Sequence, residues 1–233
     1  MLKQLADRLS HPGQGHPRGL RIGAIILVML CAIGGGTLSL APLVWTDSTT
    51  FVSSALATLN TGSLQLHAGR GAGYVALLAG LFAAGGTMTA AVLAQQVAWC
   101  ASMGLMAFVV VRMLPLGYAL FVMALAFYPG LQLFNNLILA ESLYASTLVA
   151  ALCLIVLATT SKRPRMACLL LAVAITLTAM AALLKAQGIP VFAAVGAISL
   201  WIAWRQRSSI TAAVVVMSLA AASVVLAASL GTK

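Results

Sequence analysis

Seven apolar runs, at 22–44 and about 91–111, 115–134, 142–160, 166–184, 189–204 and 209–230, constrain this chain more than any other feature. They approach or exceed the roughly 20 residues that a helix needs to cross the hydrocarbon of a bilayer. In that medium a helix satisfies its own backbone, whereas an open strand or loop does not. The remaining composition agrees: 62% of the 233 residues are apolar and only 7% are charged, against about 25% charged in a soluble domain. The expected fold is all-α, a polytopic transmembrane helix bundle of about seven spans. Residues 1–21 form a basic tail, and 22–230 form a single transmembrane domain.

The first run could be mistaken for a secretion signal, because Ser39-Leu40-Ala41 resembles a cleavage site. Its 23 residues exceed the 7–15 of a signal core, and Pro42 disfavours cleavage, so an uncleaved span is expected. Residues 73–85 are different: apolar, glycine-containing and only 13 long, the length of an interfacial or re-entrant piece. The positive-inside rule decides whether they cross. If they do not, ten bases lie inside (Lys3, Arg8, Arg18, Arg21, Arg112, Lys162, Arg163, Arg165, Arg205, Arg207) and three outside (Arg70, Lys185, Lys233). If they do, the division is six to seven. Ten to three is the pattern the rule requires. The N-terminus is then cytoplasmic, and an outer loop at 45–90 carries interfacial helices. The membrane expected is a bacterial inner membrane.

Only three residues are acidic: Asp7 in the tail, Asp47 and Glu141. The last two flank apolar runs, where an ionised group is costly and calls for a reason. On the topology above they share the outer face with Arg70 and Lys185. Asp47 precedes Phe51, Val52, Ala55, Leu56 and Leu59, an apolar stripe of helical period that Gly62 ends. Its plain role is as N-cap of that helix, although Ser48 or Thr49 could supply the cap. Arg70 stands in Gly69-Arg70-Gly71-Ala72-Gly73-Tyr74. Glycines there permit close backbone approach, and a guanidinium offers two parallel bonds to phosphate oxygens. Its plain role is a contact to lipid headgroups. For Glu141 the plain role is charge at a helix N-terminus; for Lys185 it is snorkelling to the headgroups.

Other patterns carry less. Cys31, Cys100, Cys153 and Cys168 are isolated in apolar runs and read as small buried hydrophobes. The three histidines lack metal-ligand spacing, and no Ser/His/Asp order or phosphate loop is present. Basic charge is spread over short inner loops without interleaved aromatics, so nucleic acid is not an expected partner.

The order of these pieces resembles the N-terminal half of the GT-C glycosyltransferases, the lipid-linked-sugar enzymes that include protein O-mannosyltransferases and aminoarabinose transferases. Asp47 is similar to the first acid of that group, Arg70-Gly71-Ala72-Gly73-Tyr74 to its basic/Gly-Tyr element, and Glu141-Ser142-Leu143 to its second acid. The first acid is single here rather than one of a pair. The resemblance implies a polyprenyl-phosphate sugar donor and an acceptor hydroxyl. Asp47 and Glu141 would be catalytic, and Arg70, Lys185 and Tyr74 would bind the phosphate. A divalent cation shared by Asp47 and Glu141 is implied as well. Members of the group carry more spans, so a truncated or minimal module is expected, with a partner chain supplying further helices. The competing expectations are a non-catalytic membrane scaffold and a small-molecule transporter. A transporter would place ionisable groups near mid-membrane, often within internal repeats, and neither is seen in the sequence.

The topology has a direct test. Single cysteines at positions 70 and 141 should react with an impermeant maleimide added outside, and one at 163 should not; labelling of 163 would invert the scheme.

Overall fold

The computed structural model describes residues 18–37, 42–67, 71–115, 117–128, 135–205 and 209–230. The described elements are helical: α1 (Arg18–Thr37), α2 (Thr46–Thr61), α3 (Ala72–Ala83), α4 (Met88–Met113), α5 (Tyr118–Phe127), α6 (Ala140–Thr160), α7 (Pro164–Leu184), α8 (Gly188–Arg205) and α9 (Ser209–Leu230). Four of them, α4, α6, α7 and α8, are long and apolar enough to cross a membrane.

Local chemistry sets the boundaries. Proline in the first turn opens α7, where its missing N–H has no partner to lose. Gly62 closes α2 in the left-handed conformation, φ +67°, and its N–H bonds Thr58 O at 3.0 Å. Between α3 and α4 the chain reverses through Gly85 (φ +79°) and Gly86.

Two expectations need correction. The run at 115–134 is not one continuous helix: α5 has only ten residues, about 15 Å. It ends at Tyr128 (φ −62°, ψ 118°), the residue before Pro129, whose ring disfavours helical geometry in its predecessor. The stripe on α2 is also divided. Ser48, Phe51, Ser54 and Ala55 are buried, while Leu56 and Leu59 are exposed. The short segment after residue 72 is helical as α3, and its 12 residues, about 18 Å, fall short of a bilayer core of about 30 Å.

The helices meet in three buried clusters. Val28 and Ala32 of α1, Trp99, Met103 and Ala107 of α4, and Val122 and Ala126 of α5 form one. A second lies among α6 to α9, around Ala158, Leu171, Ile175, Phe192 and Val215. The third joins Phe51 and Ala55 of α2, Tyr74 and Leu78 of α3, residues 137–140 and Leu184. Small residues set how closely the backbones approach, because packing rather than water exclusion joins helices in lipid. Gly104 receives Met29, and Gly196 receives Leu219.

α7 is the spine, touching α3, α6, α8 and α9, while α4 touches α1, α5 and α6. The antiparallel run of these helices gives the bundle two unlike ends. One carries α2, α3 and the starts of α4 and α6, together with the C-terminus of α7. Arg18, Arg21, Arg112, Lys162, Arg163, Arg165 and Arg205 fall at helix termini of the other.

Among the described glycines, Gly71 has the least room for a side chain. A Cβ there would stand 1.9 Å from Leu184 O, and one at Gly73 would stand 2.9 Å from Leu183 Cβ. Gly71→Ala should therefore lower stability in detergent by about 1–3 kcal/mol, the cost of overpacking. Gly80→Ala, whose Cβ meets nothing within 4 Å, should not. Equal melting of the two variants would remove the contact from the account.

Candidate functional site

Asp47, Tyr74, Glu141 and Lys185 all belong to the α2–α3 end. Asp47 is the second residue of α2 and exposed. It is not the cap. The N-cap position of α2 is Trp45, whose N–H donates to Ser48 Oγ at 3.0 Å. The carboxylate of Asp47 instead lies in the first turn, where it complements the helix dipole.

Glu141 occupies the first turn of α6, and Lys185 follows the last residue of α7. Their side chains join these helices: Lys185 Nζ lies 2.7 Å from Glu141 Oε1. Both are about one-third exposed, so the pair is partly screened and contributes modestly to stability. The other oxygen, Glu141 Oε2, is buried and has no hydrogen-bond partner among the described residues. Arg70 lies outside the described residues, but it is bonded to Gly71, which rests on Leu184 beside Lys185.

Tyr74 is placed differently from the expectation that it binds phosphate. It is fully buried, its ring meets Phe51 edge-on at 5.0 Å, and its hydroxyl donates to Gln95 Oε1 at 2.6 Å. The phenol proton is already committed, so Tyr74 anchors α3 to α4. Burial, and secondarily the charge of Glu141, raises its pKa above the ordinary phenol value.

Beneath Tyr74 lies a polar network that the sequence reading did not single out. Gln95 Nε2 donates to the carbonyls of Asn135 (2.9 Å) and Leu137 (2.8 Å). Gln96 Nε2 donates to Asn136 Oδ1 at 2.9 Å, and Ser142 Oγ to Asn135 Oδ1. Leu43 pairs with Leu137 in a parallel bridge, its N–H donating to Asn136 O at 2.9 Å and its carbonyl accepting from Ile138 N–H at 3.3 Å. Leu43 leads to α2 and Asp47, and residues 135–139 lead to Glu141. One network thus fixes where both acids begin. The signal was present as adjacent amides inside the apolar run 91–111, because polar groups within membrane segments are costly and need partners.

No group of three His, Cys, Asp or Glu side chains among the described residues is arranged to hold a metal ion. Asp47 and Glu141 alone would make a two-carboxylate site, and one oxygen of Glu141 already faces an ammonium. The donor set does not fit a divalent cation.

Compared with family models, with curated proteins and with solved structures, the chain finds no match in any of the three.

The raised pKa of Tyr74 has a signed consequence. A phenol held neutral by the fold contributes stability that is complete below the unfolded value of about 10 and is lost as pH rises beyond it. Tyr74→Phe leaves Gln95 Oε1 without its donor and should cost about 1–3 kcal/mol at neutral pH. The deficit should shrink in denaturation midpoints measured above about pH 10. A constant deficit across that range would contradict the assignment.

Proposed function

We propose that the chain is a membrane glycosyltransferase that moves a sugar from a polyprenyl-phosphate donor to an acceptor hydroxyl at the outer face of the membrane. In this reading the N-terminus is cytoplasmic in a bacterial inner membrane. Seven segments cross, and α2 and α3 lie in the outer interface. The sequence supports this reading through its similarity to the GT-C pattern at Asp47, Arg70 to Tyr74, and Glu141. The observation that carries it furthest is the ion pair of Lys185 with Glu141, next to Leu183 and Leu184, on which Gly73 and Gly71 pack.

The chemistry divides among these residues as follows. The acceptor oxygen attacks the anomeric carbon and forms the new C–O bond. The bond from that carbon to the phosphate oxygen breaks, and its electron pair leaves with the polyprenyl phosphate. The acceptor proton passes to Asp47, an exposed carboxylate on the first turn of α2. Lys185 stabilises charge growing on the leaving phosphate, with Arg70 contributing a planar fork of donors. An ammonium has three donors; one is taken by Glu141, so the rest are left for phosphate. Glu141 acts here by holding Lys185 in place. The exposed Leu56 and Leu59 of α2 suit a helix lying with its apolar side in the lipid interface.

A non-catalytic scaffold draws on one observation: the Glu141–Lys185 pair ties α6 to α7. The assay separates the readings. Wild-type protein in liposomes should transfer sugar from a polyprenyl-phosphate donor. Asp47→Asn should lower the rate by about 10²–10⁴-fold, the usual share of a general base, with insertion and expression unchanged. No transfer by wild-type protein favours the scaffold. Full activity in Asp47→Asn removes the base role.

A further inference from the structure

The end of the bundle opposite Glu141 carries a surface that the proposed chemistry leaves unused. Lys162, Arg163 and Arg165, in the turn between α6 and α7, are exposed. Arg205 ends α8, and its guanidinium sits over the Trp201 ring, 5.5 Å from the centroid. Trp201 and Trp204 are 50% and 76% exposed. The turn and the end of α8 are nearly level with each other, because α7 (21 residues) and α8 (18 residues) pack antiparallel across the short link at 185–187. The two acids among the described residues, Asp47 and Glu141, both belong to the other end. Nothing in the described structure neutralises these bases.

We propose that this surface binds an anionic phospholipid headgroup. Phosphate complements the local charge, and a guanidinium lying over an indole keeps its N–H edge free for two phosphate oxygens. Exposed indoles at helix ends sit at headgroup depth, with the ring in the acyl boundary and the N–H toward water. A free phosphate ion would use the bases but has no use for the two exposed indoles, so the lipid is the better occupant. The site does not depend on the glycosyltransferase reading.

The test uses full-length protein in phosphatidylcholine liposomes, with brominated phosphatidylglycerol or brominated phosphatidylcholine added at equal mole fraction. Trp45→Phe and Trp99→Phe confine emission to Trp201 and Trp204. Brominated phosphatidylglycerol should quench the more strongly. Its apparent preference should fall about fivefold for each base removed in Arg163→Gln, Arg165→Gln and Arg205→Gln. Equal quenching by both lipids overturns the site, and so does a preference unchanged by all three substitutions. Full competition by millimolar inorganic phosphate would also overturn it, in favour of a free-anion site. If the double Trp background does not fold, protein with all four tryptophans serves. There the anionic lipid should raise the melting temperature in detergent, and the same three substitutions should remove the rise. The absence of any rise is then the overturning result.

Discussion

The side chain of Gln95 is the joint on which the α2–α3 end depends. It accepts from Tyr74 and donates to the carbonyls of Asn135, which is helical, and Leu137, in the irregular stretch 137–139 before α6. Such backbone is tolerated next to membrane helices only when its polar groups find partners inside the protein. The amide of Gln95 and the Leu43–Leu137 bridge together supply those partners. A buried amide with all its bonds made is rigid, because any displacement strands several groups at once. Gln95 therefore ties three pieces of chain that are remote in sequence.

Beyond this joint, α7 gives the molecule its polarity. One terminus follows Arg163 and the other precedes Lys185, so a single helix links the basic surface to the ion pair with Glu141. The glycines at 71 and 73 let α3 rest against the backbone of α7 where a side chain has no room. Close backbone approach is worth more in lipid than in water, because hydrocarbon provides no hydrophobic drive between helices. The same contact brings the residue after Arg70 next to Leu184. Packing and placement of charge thus arise from one feature.

Much of the fold was legible in the sequence. Long apolar runs announce helices, Gly62 announces the end of α2, and the short length of 73–85 announces a helix unable to span. The brevity of α5 was legible too, in Pro129, but a count of apolar residues hides it because hydropathy carries no information about dihedral angles. Asp47 is not the cap because α2 starts two residues earlier than that role requires: Trp45 holds the N-cap position and Asp47 falls inside the first turn. For Tyr74 the resemblance implies a phosphate contact, and nothing local in the sequence shows that its ring is buried. Its burial is decided by Phe51 and Gln95, residues 23 and 21 positions away in the chain.

By itself the sequence determined the class of solvent, the helical content and the sorting of charge. Each follows from residue type and local period, which depend on neighbours only a few positions away. Only the tertiary structure decided that Glu141 meets Lys185, that Tyr74 is sealed beneath α2, and that Gln95 gathers residues 74, 135 and 137. These are contacts between segments far apart in the chain. They depend on how helices cross and how closely their backbones approach, and no local pattern encodes that distance.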